Sequence, residues 1–345
     1  MIQPSDDAAL GPRPSALRFS IRLNNDLPVD NYVTMARAAE AAGFDQFWVS
    51  HDLFLRSSPV ILTAVALATE RIEIGTCILN PYTVHPSEIA MTAATLDEVS
   101  DGRFNLGLGA GAAQFLKWVG IPQERPLADT RAAMQQIQAV LTGEPPPGWE
   151  AEAYLRFGER RTARRIPIYL AALSPRMLRL AGELADGALP LLFPPEHYET
   201  VAPLIREGAA RAGRSMDTFD LAACVWCSVS DDRRAAEDVL KDKIAYYGHA
   251  LSPLIWDRLG VTADDFRPIE HALMTERDVE KARALVDDRM LRIGIVGTPS
   301  DLIVRLEGLV AAGVRHLSFG PPLGPDPLAA VEAIGREVIP CFRGA

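Results

Sequence analysis

The chain has 345 residues, 48% of them hydrophobic and 23% charged, with 35 basic and 45 acidic side chains that leave a net charge of −10. That length and apolar content suit one large α/β core with insertions. The acidic balance argues against nucleic-acid or membrane-surface partners, which need clustered Lys and Arg, and four cysteines are too few for a disulfide framework.

No charged-then-apolar leader opens the chain, and no apolar run approaches the ~20 residues that span a bilayer, so a cytosolic protein is expected. Residues 1–16, rich in Pro and Asp and without periodicity, are expected to form a flexible tail. From there strands and helices alternate. RFSIRL (18–23) predicts a strand and Val29 to Ala42 a helix closed by Gly43. QFWVS (46–50) is followed by a helix from Val60 to Thr69, and RIEIGTCIL (71–79) by a helix from Pro86 to Val99. The fourth strand, RFNLGLG (103–109), leads into a helical region ending near Leu141.

The window LDEVSDGRFNLGLGAG (96–111) ends that fourth strand in Gly107, Gly109 and Gly111. Its G-x-G-x-G spacing is a poor match to the dinucleotide fingerprint. Two readings stand: small residues that pack a barrel interior, or bare backbone brought against a flat or phosphorylated ligand.

The segment 143–165, with its prolines and arginines, predicts a surface loop with a solvated charged face. IPIYLAA (166–172), GALPLLF (187–193) and DLAACVWCSV (220–229) give strands five to seven, with helices from Pro175 and Glu196 between them. A mainly helical stretch from Asp231 to Arg289 precedes the eighth strand, VRHLSFG (314–320), and a helix closing near Ile339. Eight strand–helix units predict a (β/α)8 TIM barrel spanning residues 17–345 as one domain, with an open doubly wound sheet as the alternative. The insertions at about 143–165 and 231–289 follow strands four and seven, on the face where such barrels carry their active sites.

Cys224 and Cys227 have C-x-x-C spacing, but positions three apart on a strand point to opposite faces, so neither chelation nor a redox pair is expected. No H-E-x-x-H or clustered Cys/His set points to a metal, and no G-x-S-x-G element points to a nucleophilic serine.

Four stretches make the pattern specific: IGTCILNPYTVHP (74–86), ATLDEVSDGRFNLGLGAG (94–111), IPIYLAALSPRMLRLAGELADGA (166–188) and VGTPSDLIVRLEGLVAAGVRHLSFGPPLGPD (296–326). With them the chain from Leu17 to Pro340 resembles the bacterial-luciferase-like barrel superfamily. Within it, the chain is most similar to the methylenetetrahydromethanopterin reductases, which use the deazaflavin coenzyme F420. The resemblance implies a homodimeric oxidoreductase whose coenzyme lies at the C-terminal ends of the strands. It implies a cis Cys77–Ile78 peptide in a bulge behind the ring, with Asn80 able to hydrogen-bond the ligand. Gly109, Ala110 and Gly111 would lie beside ring and tail, and the amides of Ala172, Leu173 and Ser174 would hold the phosphate.

The departures are also specific. The family's Asp-His after strand two is inverted here to His51-Asp52, its strand-one glutamate is replaced by Arg22, and an acid after the strand-four glycines is replaced by Ala112. Leu191-Leu192-Phe193-Pro194 lacks the basic residues of the related sugar-phosphate dehydrogenases. His51 is the first choice for proton chemistry and Asp52 for orienting it or binding the ring, unless both only cap the turn; His85 stands in the same position before the third helix. The expected reaction is hydride transfer to a small organic substrate, with a methylene-tetrahydropterin or methylene-tetrahydrofolate leading. An FMN-dependent monooxygenase and a non-catalytic coenzyme-binding protein are the alternatives.

Overall fold

The first strand shows how the sheet is built. In β1 (Arg18–Leu23), Phe19, Ile21 and Leu23 pack outward into the main hydrophobic core, while Arg18, Ser20 and Arg22 turn inward to polar partners. This is the period-two alternation of a strand covered by helices on one face only. The computed structural model describes residues 17–150, 164–251 and 253–343; the expected tail at 1–16 and most of the expected surface loop at 143–165 lie outside the described residues.

The remaining strands are β2 (Gln46–Val49), β3 (Glu73–Thr76), β4 (Phe104–Leu108), β5 (Ile168–Leu170), β6 (Gly187–Ala188), β7 (Asp220–Leu221), β8 (Ala223–Val229), β9 (Ile295–Gly297) and β10 (His316–Leu323). All pair in parallel, in the order β7-β6-β5-β4-β3-β2-β1-β10-β8-β9. Only Ala222 separates β7 from β8, and a bridge from Leu191 to Cys224 joins the continuation of β6 to β8. β7 and β8 are therefore two segments of one strand, and the ring closes as the expected eightfold barrel. The short β9 is an added strand on β8 that period-two reasoning does not find in three residues.

The outer layer comprises α1 (Val29–Ala41), α2 (Ser58–Ala68), α3 (Pro86–Val99), α4 (Ala113–Trp118), α5 (Pro126–Thr142), α6 (Pro175–Leu184) and α7 (Tyr198–Arg211). The excursion after β8 holds α8 (Arg233–Tyr247), α9 (Pro253–Leu259), α10 (Ala263–Glu270), α11 (Val279–Ala284) and α12 (Asp288–Leu291). α13 (Pro299–Ala311), α14 (Pro327–Ala333) and α15 (Ile339–Arg343) complete the chain. The excursion has its own core, in which Leu240, Ile244, Phe266, Ile269 and Met290 gather around Trp226 at the barrel mouth.

The barrel interior is a packed plug with a polar base. Arg18 bridges Asp220 (3.0 Å) and Glu73 (2.9 Å), Tyr169 donates to Asp220 (2.7 Å), and His316 lies between Asp220 (3.1 Å) and Ser20 (2.8 Å). Above this base Trp48, Tyr169, Leu189, Ala222 and Cys224 form an apolar layer, with Trp48 and Tyr169 edge to face at 5.0 Å. Among the described residues the plug fills the lower half, which leaves the C-terminal ends of the strands as the open side for a ligand. Cys224 belongs to this inner layer and Cys227 to the outer core, so the two thiols face opposite ways as expected.

Candidate active site

β3 is regular only to Thr76, three residues short of the expected end, because the chain bulges at Cys77–Ile78, where the peptide is cis. The bulge is seated on β4. The Thr76 hydroxyl donates to the Gly107 carbonyl and accepts from the Gly107 amide, each at 3.1 Å, and beyond the bulge the Leu79 amide donates to the same carbonyl at 2.9 Å. A Cβ on Gly107 would stand 1.9 Å from the Thr76 carbonyl oxygen. One on Gly109 would meet Ile78 at 3.2 Å, and one on Gly111, whose φ is +70°, would meet the Asn80 amide at 2.2 Å. The glycines of the fourth strand are thus required first by protein atoms: Thr76, Ile78 and Asn80 fill the volume their side chains would take. What this packing leaves at the mouth is a low shelf made by Cys77, Ile78 and the backbone of 109–111. Asn80 is itself fixed, accepting from the Tyr82 amide at 2.9 Å.

Across the mouth, β5 runs into α6. Ser174 caps that ten-residue helix by accepting from the Met177 amide at 3.3 Å. The amides of Ala172, Leu173 and Ser174 have no acceptor among the described residues, and Leu173 and Ser174 are exposed. Free donors at the positive end of a helix are a ready anion site.

The structure separates His51 from Asp52. His51 Nδ1 accepts from the Ser58 amide at 3.1 Å at the start of α2, which leaves Nε2 to carry the hydrogen. Burial lowers its pKa, so the neutral imidazole presents an N–H donor. No hydrogen bond joins it to Asp52 among the described residues. Asp52 stands on the wall of the mouth, open to water yet flanked by protein, and this partial desolvation raises its carboxyl pKa, opposed by Lys243 and reinforced by Asp26. Its backbone is held by buried Asn25, which accepts from the Asp52 amide (3.2 Å) and donates to the Asp52 carbonyl (3.1 Å). His85 likewise accepts through Nδ1 at a helix start, from the Ser87 amide of α3 at 3.3 Å. Burial pushes the Cys77 thiol pKa up to about 12, which disfavours the thiolate.

A model of the luciferase-like monooxygenase family matches residues 14–316. The chain belongs to that family. It is 33% identical over 333 residues to 5,10-methylenetetrahydromethanopterin reductase of Archaeoglobus fulgidus, an alignment covering 95% of this chain and 100% of the relative. It is 29% identical over 331 residues to F420-dependent glucose-6-phosphate dehydrogenase of Beutenbergia cavernae, covering 88% and 91%. Among solved structures, the coenzyme F420-dependent tetrahydromethanopterin reductase of Methanopyrus kandleri matches with a TM-score of 0.85 at 32% identity, covering 95% of this chain and 100% of that one.

In this luciferase-like chain, sequence reasoning did not find Lys243. It reaches from α8 over the rings of Trp226 (4.8 Å) and Tyr247 (4.9 Å) and feels the charges of Arg22, Asp26 and Asp52. Burial lowers its pKa to about 8. No local signal marks a lysine on an amphipathic helix as facing a site; only the docking of the insertion onto Trp226 does so. Among the described residues no group of three or more His, Cys, Asp or Glu is placed to hold a metal, and no helix is long and apolar enough to cross a membrane.

Proposed function

We propose that the chain is a coenzyme F420-dependent oxidoreductase that moves a hydride between the deazaflavin and a small organic substrate. The observation that carries this reading is the pairing of the low shelf on β4 with the open amides before α6, at one barrel mouth. The donor set fits the coenzyme: unpaired amides of Ala172, Leu173 and Ser174 suit a phosphate, and the surface of Cys77, Ile78, Asn80, Gly109, Ala110 and Gly111 suits a flat ring. The coenzyme supplies the hydride chemistry, and the protein supplies position and polarity. His51 offers Nε2–H to an electron-rich atom of substrate or ring, and Asp52 holds or releases a proton on the adjacent wall.

The protein is further proposed to work as a cytoplasmic homodimer. Val60 and Leu67 on α2 and Met91 on neighbouring α3 are exposed apolar residues that a second copy would cover, and free thiols accord with a reducing compartment.

Fluorescence titration with coenzyme F420 and with FMN tests the reading. Binding of FMN with none of the deazaflavin would overturn it. Turnover is then assayed with a panel that begins with methylenetetrahydromethanopterin and methylenetetrahydrofolate. His51→Ala should lower kcat by ~100-fold or more while changing coenzyme affinity by less than about threefold. A protein that binds the coenzyme and turns over nothing in the panel would favour a carrier over an enzyme.

A further inference from the structure

Arg22 replaces an acid with a base inside the barrel mouth, and the surroundings show what that base lacks. It is 6% exposed. Its Nε donates to the Ser318 hydroxyl at 3.1 Å and its Nη2 to the Val225 carbonyl at 3.0 Å. These bonds satisfy part of the guanidinium but none of its charge, and no carboxylate lies within salt-bridge distance among the described residues. Space is reserved for it: a Cβ on Gly320 would stand 2.4 Å from Nη2. Lys243 is a second cation at the same mouth, resting on the Trp226 and Tyr247 rings with no hydrogen bond or ion pair among the described residues. Two desolvated cations within range of one another are costly unless an anion joins them. Asp26 and Asp52 offset part of the field from the rim without contacting either.

The topology separates this anion deficit from the coenzyme's phosphate site. In the closed ring β1 and β5 lie diametrically opposite, so Arg22 and the amides of 172–174 are on opposite sides of the mouth. Beside Arg22 the wall is apolar, formed by Leu191 and Trp226. Taking the hydride-transfer reading as its basis, we propose that Arg22 and Lys243 together bind the anionic group of the substrate, and that the substrate is an organic carboxylate with an apolar body against Leu191 and Trp226. A carboxylate accepts from a planar guanidinium and an ammonium at once, with charge-assisted bonds stronger than neutral ones.

Benzoate is the probe, with benzamide as its neutral isostere, titrated by calorimetry into the protein with and without saturating coenzyme F420. Wild type should bind benzoate in preference to benzamide, and should still do so with coenzyme present. Arg22→Gln and Lys243→Gln should each weaken benzoate binding by at least about tenfold, while Lys243→Arg largely restores it. Coenzyme affinity, read by fluorescence, should change by less than about twofold. Arg22→Lys, which keeps the buried charge but not the planar fork, substitutes if the glutamine variant does not fold, and should bind benzoate more weakly than wild type. The proposal falls if benzoate fails to bind in the millimolar range, if benzamide binds equally, if the variants bind as wild type does, or if coenzyme and benzoate compete. If the coenzyme does not bind but benzoate binding still depends on both cations, the oxidoreductase reading falls and the anion site stands.

Discussion

Gly107→Ala isolates the contact that seats the bulge. The new Cβ would lie 1.9 Å from the Thr76 carbonyl oxygen and 3.0 Å from its carbon, both backbone atoms. An ordinary carbon–oxygen contact needs about 3.3 Å, so β3 or β4 must yield by about 1.4 Å. Thr76 is pinned through pairing with Val49 on β2 and through both of its hydroxyl bonds to Gly107. Overpacking of this kind costs about 1–3 kcal/mol, and losing two hydrogen bonds adds about 1 kcal/mol each, giving ~4 kcal/mol. With an unfolding entropy of about 2.1 cal/mol/K per residue, the 345-residue chain should melt about 5 °C lower. Gly109→Ala is the control, because the atoms nearest its Cβ are side-chain atoms, of Ile78 at 3.2 Å and Ala171 at 3.3 Å. It should cost less than about 1 kcal/mol. Scanning calorimetry measures the first effect. Coenzyme titration measures the second, since a displaced shelf should weaken F420 binding in the Gly107 variant by at least about tenfold. Equal melting temperatures for wild type and Gly107→Ala, or a larger loss in the Gly109 variant, would refute the reasoning.

Two further predictions address parts of the fold away from the shelf. Arg18→Met leaves Asp220 and Glu73 without their shared cation and should cost about 3–5 kcal/mol in urea unfolding with coenzyme affinity unchanged; a loss of affinity without loss of stability would place Arg18 in the site instead. His197 is buried, and desolvation, aided by Arg258, lowers its pKa from 6.5 to about 4. The folded state therefore binds fewer protons than the unfolded chain between those values, and stability should fall by up to about 3 kcal/mol as pH drops through that window. His197→Gln should flatten this part of the pH–stability curve, and an unchanged slope would show that other groups carry it.

The barrel was readable because strands covered on one face alternate. Phe19, Ile21 and Leu23 against Arg18, Ser20 and Arg22 carry the signal in full, whereas β9 is too short to have a period. Helix starts at Pro86 and Pro175 are marked by proline in the first turn, whereas α2 begins two residues before the expected Val60 although Pro59 stands in its first turn, where the Ser58 amide donates to the His51 imidazole. That same contact could not be seen from the pattern His51-Asp52, which reads equally as a catalytic pair or a capped turn until the Ser58 amide is placed. The strand-four glycines posed a choice between packing and ligand contact, and the positions of Thr76, Ile78 and Asn80 show that packing comes first and creates the surface on which a ligand can lie.

Arg22 takes the argument one step further. Read along the chain, it is only a missing acid. Inside the barrel it is a fixed charge whose field reaches Lys243, and charge of that sign constrains chemistry. A methylene carbon held between two amine nitrogens takes up hydride as a positively charged iminium, which two nearby desolvated cations disfavour. A carboxylate on the substrate removes this conflict, because it neutralises the pair on binding. On this proposal Arg22 bears on which substrates the site can hold, while the amides of Ala172 to Ser174 that suit the coenzyme's phosphate lie across the barrel from it.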